Sequence, residues 1–97
     1  MKDIQERVLD RIDSLCNEFD VVASVSHDYP NTGSVYISSA NLACTFIIID
    51  FVFQSRYVSL NIRNGHKEIL YDFQMLDYTD LLEFFHALST VLKEATE

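Results

Sequence analysis

The spacing of apolar residues changes twice along this chain of 97 residues, and those two changes bound what it can fold into. Between residues 3 and 19, Ile4, Val8, Ile12, Leu15, Cys16 and Phe19 recur mostly at intervals of three and four, which lines them along one face of an α-helix. From Val21 the period falls to two, with Val21, Ala23 and Val25 on one side of a strand and Val22 and Ser24 on the other. After Asp77 the helical period returns in Leu81, Phe84, Phe85, Leu88, Val91, Leu92 and Ala95. Helices are therefore expected at the two ends and strands between them.

The middle divides at its turn residues. Tyr29-Pro30-Asn31-Thr32-Gly33 supplies a turn, because Pro fixes φ and Asn or Gly accepts the left-handed conformation. Residues 34 to 38 read as a short strand, 39 to 42 as a loop, and 43 to 53 as the longest strand, ended by a tight turn at Gln54-Ser55. Apolar residues on both parities of that strand predict a central position covered on both faces. Residues 56 to 63 alternate, and Asn64-Gly65 predicts a two-residue hairpin into a last strand over residues 67 to 75. Asp77 is expected to cap the second helix, with Asp80 and Glu83 near its positive end. Short connections favour an antiparallel meander, so the fold class is α+β: about five strands flanked by an N-terminal and a C-terminal helix.

The length accommodates one core, so residues 1–97 form a single domain in this reading. Hydrophobic residues make up 48% of the chain, with seven Phe and five Tyr, enough large side chains to fill such a core. The segment after Met1 lacks the apolar run of a signal peptide, and the apolar stretch from Phe46 to Phe53 is interrupted by Asp50. A cytoplasmic protein that neither spans nor binds a membrane is the expectation. Cys16 and Cys44 have no CxxC spacing and are read as reduced core thiols.

Catalytic patterns are missing from the sequence. His27, His66 and His86 have no Cys, Asp or His at metal-ligand spacing, so no metal site is predicted. Two glycines cannot build a phosphate-cradling loop, and there is no GxSxG. Cys44 opens a hydrophobic strand with no base paired to it by any signature. The reading is a protein without cofactor that binds and does not catalyse.

Charge placement carries the functional content. Fifteen acids against seven Lys and Arg give a formal charge of -8, which opposes direct binding to nucleic acid or anionic membrane. The imbalance sits at the ends. Residues 1 to 30 hold seven acids and three bases, 31 to 70 two and three, and 71 to 97 six and one. In the first helix Asp3, Glu6, Asp10 and Asp13 are spaced three, four and three apart, opposite the apolar stripe, and Asn17 and Asp20 prolong the line. At about 1.5 Å rise per residue these carboxylates recur roughly every 5 Å, the same order as the charge spacing along a nucleic-acid strand. An ordinary solvated helix face is the plain alternative, although the like-charged Glu6–Asp10 pair at i,i+4 costs such a face a few tenths of a kcal/mol.

A strongly acidic chain of this length with a helix-flanked antiparallel sheet resembles the small phage and prophage inhibitors that mimic nucleic acid, such as anti-CRISPR and anti-restriction proteins and uracil-DNA-glycosylase inhibitors. The resemblance lies in size, charge and architecture, carried by Asp3, Glu6, Asp10 and Asp13 and by Asp77, Asp80 and Glu83, which together with Asp20 are the candidate partner-binding residues. It implies an inhibitor in the host cytoplasm that occupies the basic channel of a nucleic-acid-binding protein or complex; the sequence leaves the oligomeric state open, with a monomer favoured. The other reading is an immunity protein, an antitoxin or a protein similar to the small acidic secretion chaperones. That class would bind through an apolar sheet surface, for which Phe46, Ile48 and Val52 are the candidates.

Overall fold

The computed structural model describes residues 4–29, 31–38, 46–66 and 68–96, with side chains at all of these except 27–29. Helix α1 spans Ile4–Glu18, followed by strands β1 Val22–Tyr29, β2 Thr32–Ser38, β3 Ile47–Phe53, β4 Tyr57–Asn64 and β5 Ile69–Asp77. A 3-10 turn, Tyr78–Asp80, leads into helix α2, Leu81–Thr96. The strands form one antiparallel sheet in the order β1-β2-β3-β4-β5. This is the α+β meander expected from the periodicities.

Both helices lie on one face of that sheet. Val8, Ile12, Leu15 and Cys16 of α1 and Leu81, Phe84, Leu88, Val91 and Leu92 of α2 close over Val35, Ile37, Ile47, Ile49, Phe51, Phe53, Val58, Leu60 and Ile62. Burying one such Leu, Ile or Phe side chain stabilises the fold by roughly 1.5–3 kcal/mol. Phe84 anchors α2, since its ring meets Phe73 of β5 edge-on at 5.9 Å and the neighbouring Phe85 at 5.4 Å. In register Val35, Ile49 and Ile62 stand in one row across β2 to β4, so alternate residues of these strands turn toward the helices, while two register shifts in β5 bring both Phe73 and Leu76 onto the core.

Several expectations are corrected by this arrangement. The central strand is not covered on both faces: Ile47, Ile49, Phe51 and Phe53 are buried, whereas Ile48 is half-buried and Val52 is 36% exposed. Two helices suffice for one face only. The expected strand over residues 43 to 53 begins at Ile47, Phe46 stands outside it, and residues 39–45 lie outside the described residues. Among the described residues the longest strand is β5, with nine residues. Asn64-Gly65 does not form a two-residue hairpin. Asn64 N–H instead donates to Glu68 O at 3.0 Å, and Asn64 Oδ1 accepts from the N–H groups of His66 and Glu68 at 2.9 and 3.1 Å, so the side chain organises a longer turn. The first hairpin is tighter than expected, because Thr32 and Gly33 already belong to β2 and Tyr29 pairs with Thr32.

Candidate functional site

On α1 the side chains of Glu6, Asp10 and Asp13 are all exposed, along the face opposite Val8, Ile12, Leu15 and Cys16. The helix is fixed by its buried side, so it presents these carboxylates as a row on a rigid element. Asp3 lies outside the described residues. Asp13 has an electrostatic reach inward: after burial, its charge is the second cause that raises the Cys16 thiol from its ordinary 9.0 to about 11. That direction opposes thiolate chemistry at Cys16.

Asp20 has a local duty that sequence reasoning missed. Its φ of 61° is left-handed, Asp20 N–H donates to Asn17 O at 3.2 Å, and Val21 N–H donates to Cys16 O at 2.9 Å. These two bonds close the C-terminus of α1 as a Schellman motif, with Asp20 in the position usually held by Gly or Asn. The signal was legible in principle, because a helix that stops before a strand needs such a residue.

At the start of α2, Asp77 Oδ1 accepts from Thr79 N–H and from the Thr79 hydroxyl, both at 2.9 Å. These bonds, the backbone one first, hold its carboxyl below the usual range. Asp77 thus caps the 3-10 turn and not α2 itself. Asp80 and Glu83 follow, both exposed, where negative charge meets the positive end of the helix. The cleft between the helices is lined by Arg11, Leu15, Leu82, Phe85 and His86, with no candidate acid among them, and the Arg11 guanidinium sits 5.9 Å from the centre of the Phe85 ring. The acids of α1 and those at the start of α2 are therefore two patches with a basic and aromatic seam between the helices.

A second polar cluster went unnoticed in the sequence because it runs across strands. Ser26, Ser34, Asp50, Asn61 and Asp72 are successive partners from β1 to β5, all on the face away from the helices. Asp50 Oδ1 accepts from the Ser34 hydroxyl at 2.6 Å, and Asp50 Oδ2 forms an ion pair with Arg63 Nε at 2.7 Å. That hydrogen bond is the first cause that raises Arg63 above its ordinary value. Gln74 Nε2 donates to Asp72 Oδ1 at 2.6 Å. Asn61 Oδ1 is buried and has no hydrogen-bond partner among the described residues. The one mark of this row in the sequence is Asp50, a carboxylate inside an apolar run.

Among the described residues no group of three or more His, Cys, Asp or Glu is placed to hold a metal ion, and no helix is long and apolar enough to cross a membrane. His66 and His86 are exposed, while the His27 side chain and all of Cys44 lie outside the described residues. No protein-family model, curated protein or solved structure matches this chain.

Proposed function

We propose that the chain is a non-catalytic inhibitor that occupies the basic surface of a nucleic-acid-binding enzyme or complex, with the α1 carboxylates standing in for phosphates. The observation that supports this most is the joint exposure of Glu6, Asp10 and Asp13 on the outer face of a helix whose inner face is buried. A partner's Lys and Arg side chains would meet a preorganised row, and charge-assisted bonds of this kind contribute about twice what neutral ones do. The formal charge of -8 would speed encounter with a basic partner and repel nucleic acid itself. Competition tests the reading. The purified chain should displace DNA or RNA from the protein recovered on it while binding neither directly; unchanged occupancy of the nucleic acid at saturating protein rejects mimicry.

The exposure of Tyr36, Phe46 and Val52, at 44%, 58% and 36%, favours a second reading. In it the chain is an immunity protein, antitoxin or secretion chaperone that docks a protein through the uncovered sheet face. Burial of apolar surface is insensitive to salt where ion pairing is not. A complex that survives raised ionic strength unweakened supports this second reading over the first.

A further inference from the structure

We propose that a groove between α2 and the outer strand β5 docks a basic amphipathic helix of a protein partner, taking one large apolar side chain between flanking Lys or Arg residues. The groove has a volume of about 410 Å³, with Val91, Glu94 and Ala95 of α2 on one side and Ile47, Asn64, Leu70 and Tyr71 of the sheet on the other. It is independent of the α1 row. The cleft that α2 shares with α1 uses Leu82, Phe85, His86 and Ser89, which by helical spacing lie on the flank of α2 opposite Val91, Glu94 and Ala95.

Incomplete cover of β5 creates the apolar part. Phe73 and Leu76 pack on the core, whereas Leu70 and Tyr71 stay 41% and 39% exposed. Ile47 and Val91 are buried and floor the groove. Tyr71 is stacked on Phe73, with ring centres 6.3 Å apart and planes 9° apart, so docking against it costs little side-chain freedom. Apolar walls that water now touches gain from being covered.

Charge and backbone geometry select the occupant. Glu94 is exposed and is the one charged residue among the described lining. On the strand side Glu68 Oε2 accepts from Asn64 Nδ2 at 3.4 Å, which brings a second carboxylate beside the groove. Lys93, the one Lys or Arg of α2, is exposed and outside the lining, and the last turn of that helix adds the negative end of its dipole. Cations are therefore favoured around an apolar centre. A small apolar molecule would keep much of its surface in water, because Leu70 and Tyr71 stand at an open edge. An extended segment adding to β5 meets two bulges, since Leu70 has no counterpart in β4 and Ser59 faces both Gln74 and Met75. These interrupt the row of backbone groups that strand addition needs. A helix satisfies its own backbone and presents side chains alone.

Amide NMR titration of the full chain at physiological salt tests the assignment, with an N-acetylated, C-amidated Leu–Lys model helix of about 15 residues as probe. Saturable shifts centred on Ile47, Asn64, Leu70, Tyr71 and Ala95 are expected, at a Kd of about 0.1–1 mM. The same peptide with Glu for Lys should bind about tenfold more weakly. Leu70→Ser should weaken the Leu–Lys peptide about tenfold. Glu94→Lys, an exposed substitution that spares the core, should weaken it about threefold or more and strengthen the Leu–Glu peptide. Asp10→Asn with Asp13→Asn should leave both affinities within about twofold, so failure of the α1 row and failure of the groove read separately. Shifts centred on α1, equal binding of the two peptides, unchanged affinity in both groove variants, or absence of saturation would overturn the groove. Saturation of the same shifts by 1-octanol below the Kd of the peptide, or a dimer in sedimentation that Leu70→Ser dissociates, would overturn it as well.

Discussion

Cys16 shows how a single buried group can report on the surface above it. Its side chain is fully buried against the core, and burial first, then the charge of Asp13, raises the thiol to about 11 from an ordinary 9.0. Above pH 9.0 the unfolded chain releases a proton that the folded chain keeps until about 11. The unfolded state therefore binds fewer protons in that window, and stability falls as pH rises through it, by at most about 1.4 kcal/mol per pH unit. Denaturant titrations at pH 8 to 11 should show this slope in wild type and not in Cys16→Ala, whose comparison cancels the shared Lys and Tyr ionisations. Asp13→Asn should move the titration of Cys16 downward. An unchanged Cys16 titration in that variant would show that the Asp13 carboxylate does not act on the interior.

At the scale of the elements, β5 is the long outer strand of the sheet, and it is guarded. Between the pairs Val58–Leu76 and Leu60–Phe73, one residue of β4, Ser59, faces two of β5, Gln74 and Met75, and between Ile62–Tyr71 and Arg63–Ile69 the β5 residue Leu70 has no counterpart in β4. Both extra residues bulge β5, and bulges of this kind twist an edge away from pairing with another chain. Met75 sits at the first of them with φ 53°, its N–H donating to Ser59 Oγ at 3.1 Å. Met75→Ile places a β-branched side chain in a left-handed conformation and should cost about 1–3 kcal/mol. Met75→Gly should stay within about 1 kcal/mol of wild type, and thermal melts of the two variants check the difference. These bulges explain part of what the sequence concealed, since an inserted residue leaves no mark in composition. Helices were legible because Val8, Ile12 and Leu15, or Phe84, Leu88 and Val91, keep strict helical spacing. The uncovered face of β3 was not, because Ile48 and Val52 look as apolar as Ile49 and Phe51. The row through Asp50, Asn61 and Asp72 depends on register, which links residues far apart in the chain. The α1 acids were legible as a row, whereas Asp20 and Asp77 proved to hold backbone turns.

For the molecule as a whole, the two layers divide the surface. Helices carry most of the acid on one side, and the sheet offers a mixed polar and aromatic face on the other. A chain with a formal charge of -8 resists self-association and is drawn to basic surfaces over distances of about a Debye length, roughly 8 to 10 Å in physiological salt. The central claim, that the α1 row binds by charge, is tested most directly with Asp10→Asn and Asp13→Asn together, which keep shape and remove two exposed carboxylates. The stability of the double variant should remain within about 0.5 kcal/mol of wild type. The decisive measurement is its affinity for the partner across a salt series, in competition with that partner's nucleic acid. The expected result is a loss on the order of 1 to 3 kcal/mol for each carboxylate that meets a Lys or Arg, together with a shallower salt dependence. A folded double variant that displaces the nucleic acid within twofold of wild type, with the same salt slope, would contradict the claim.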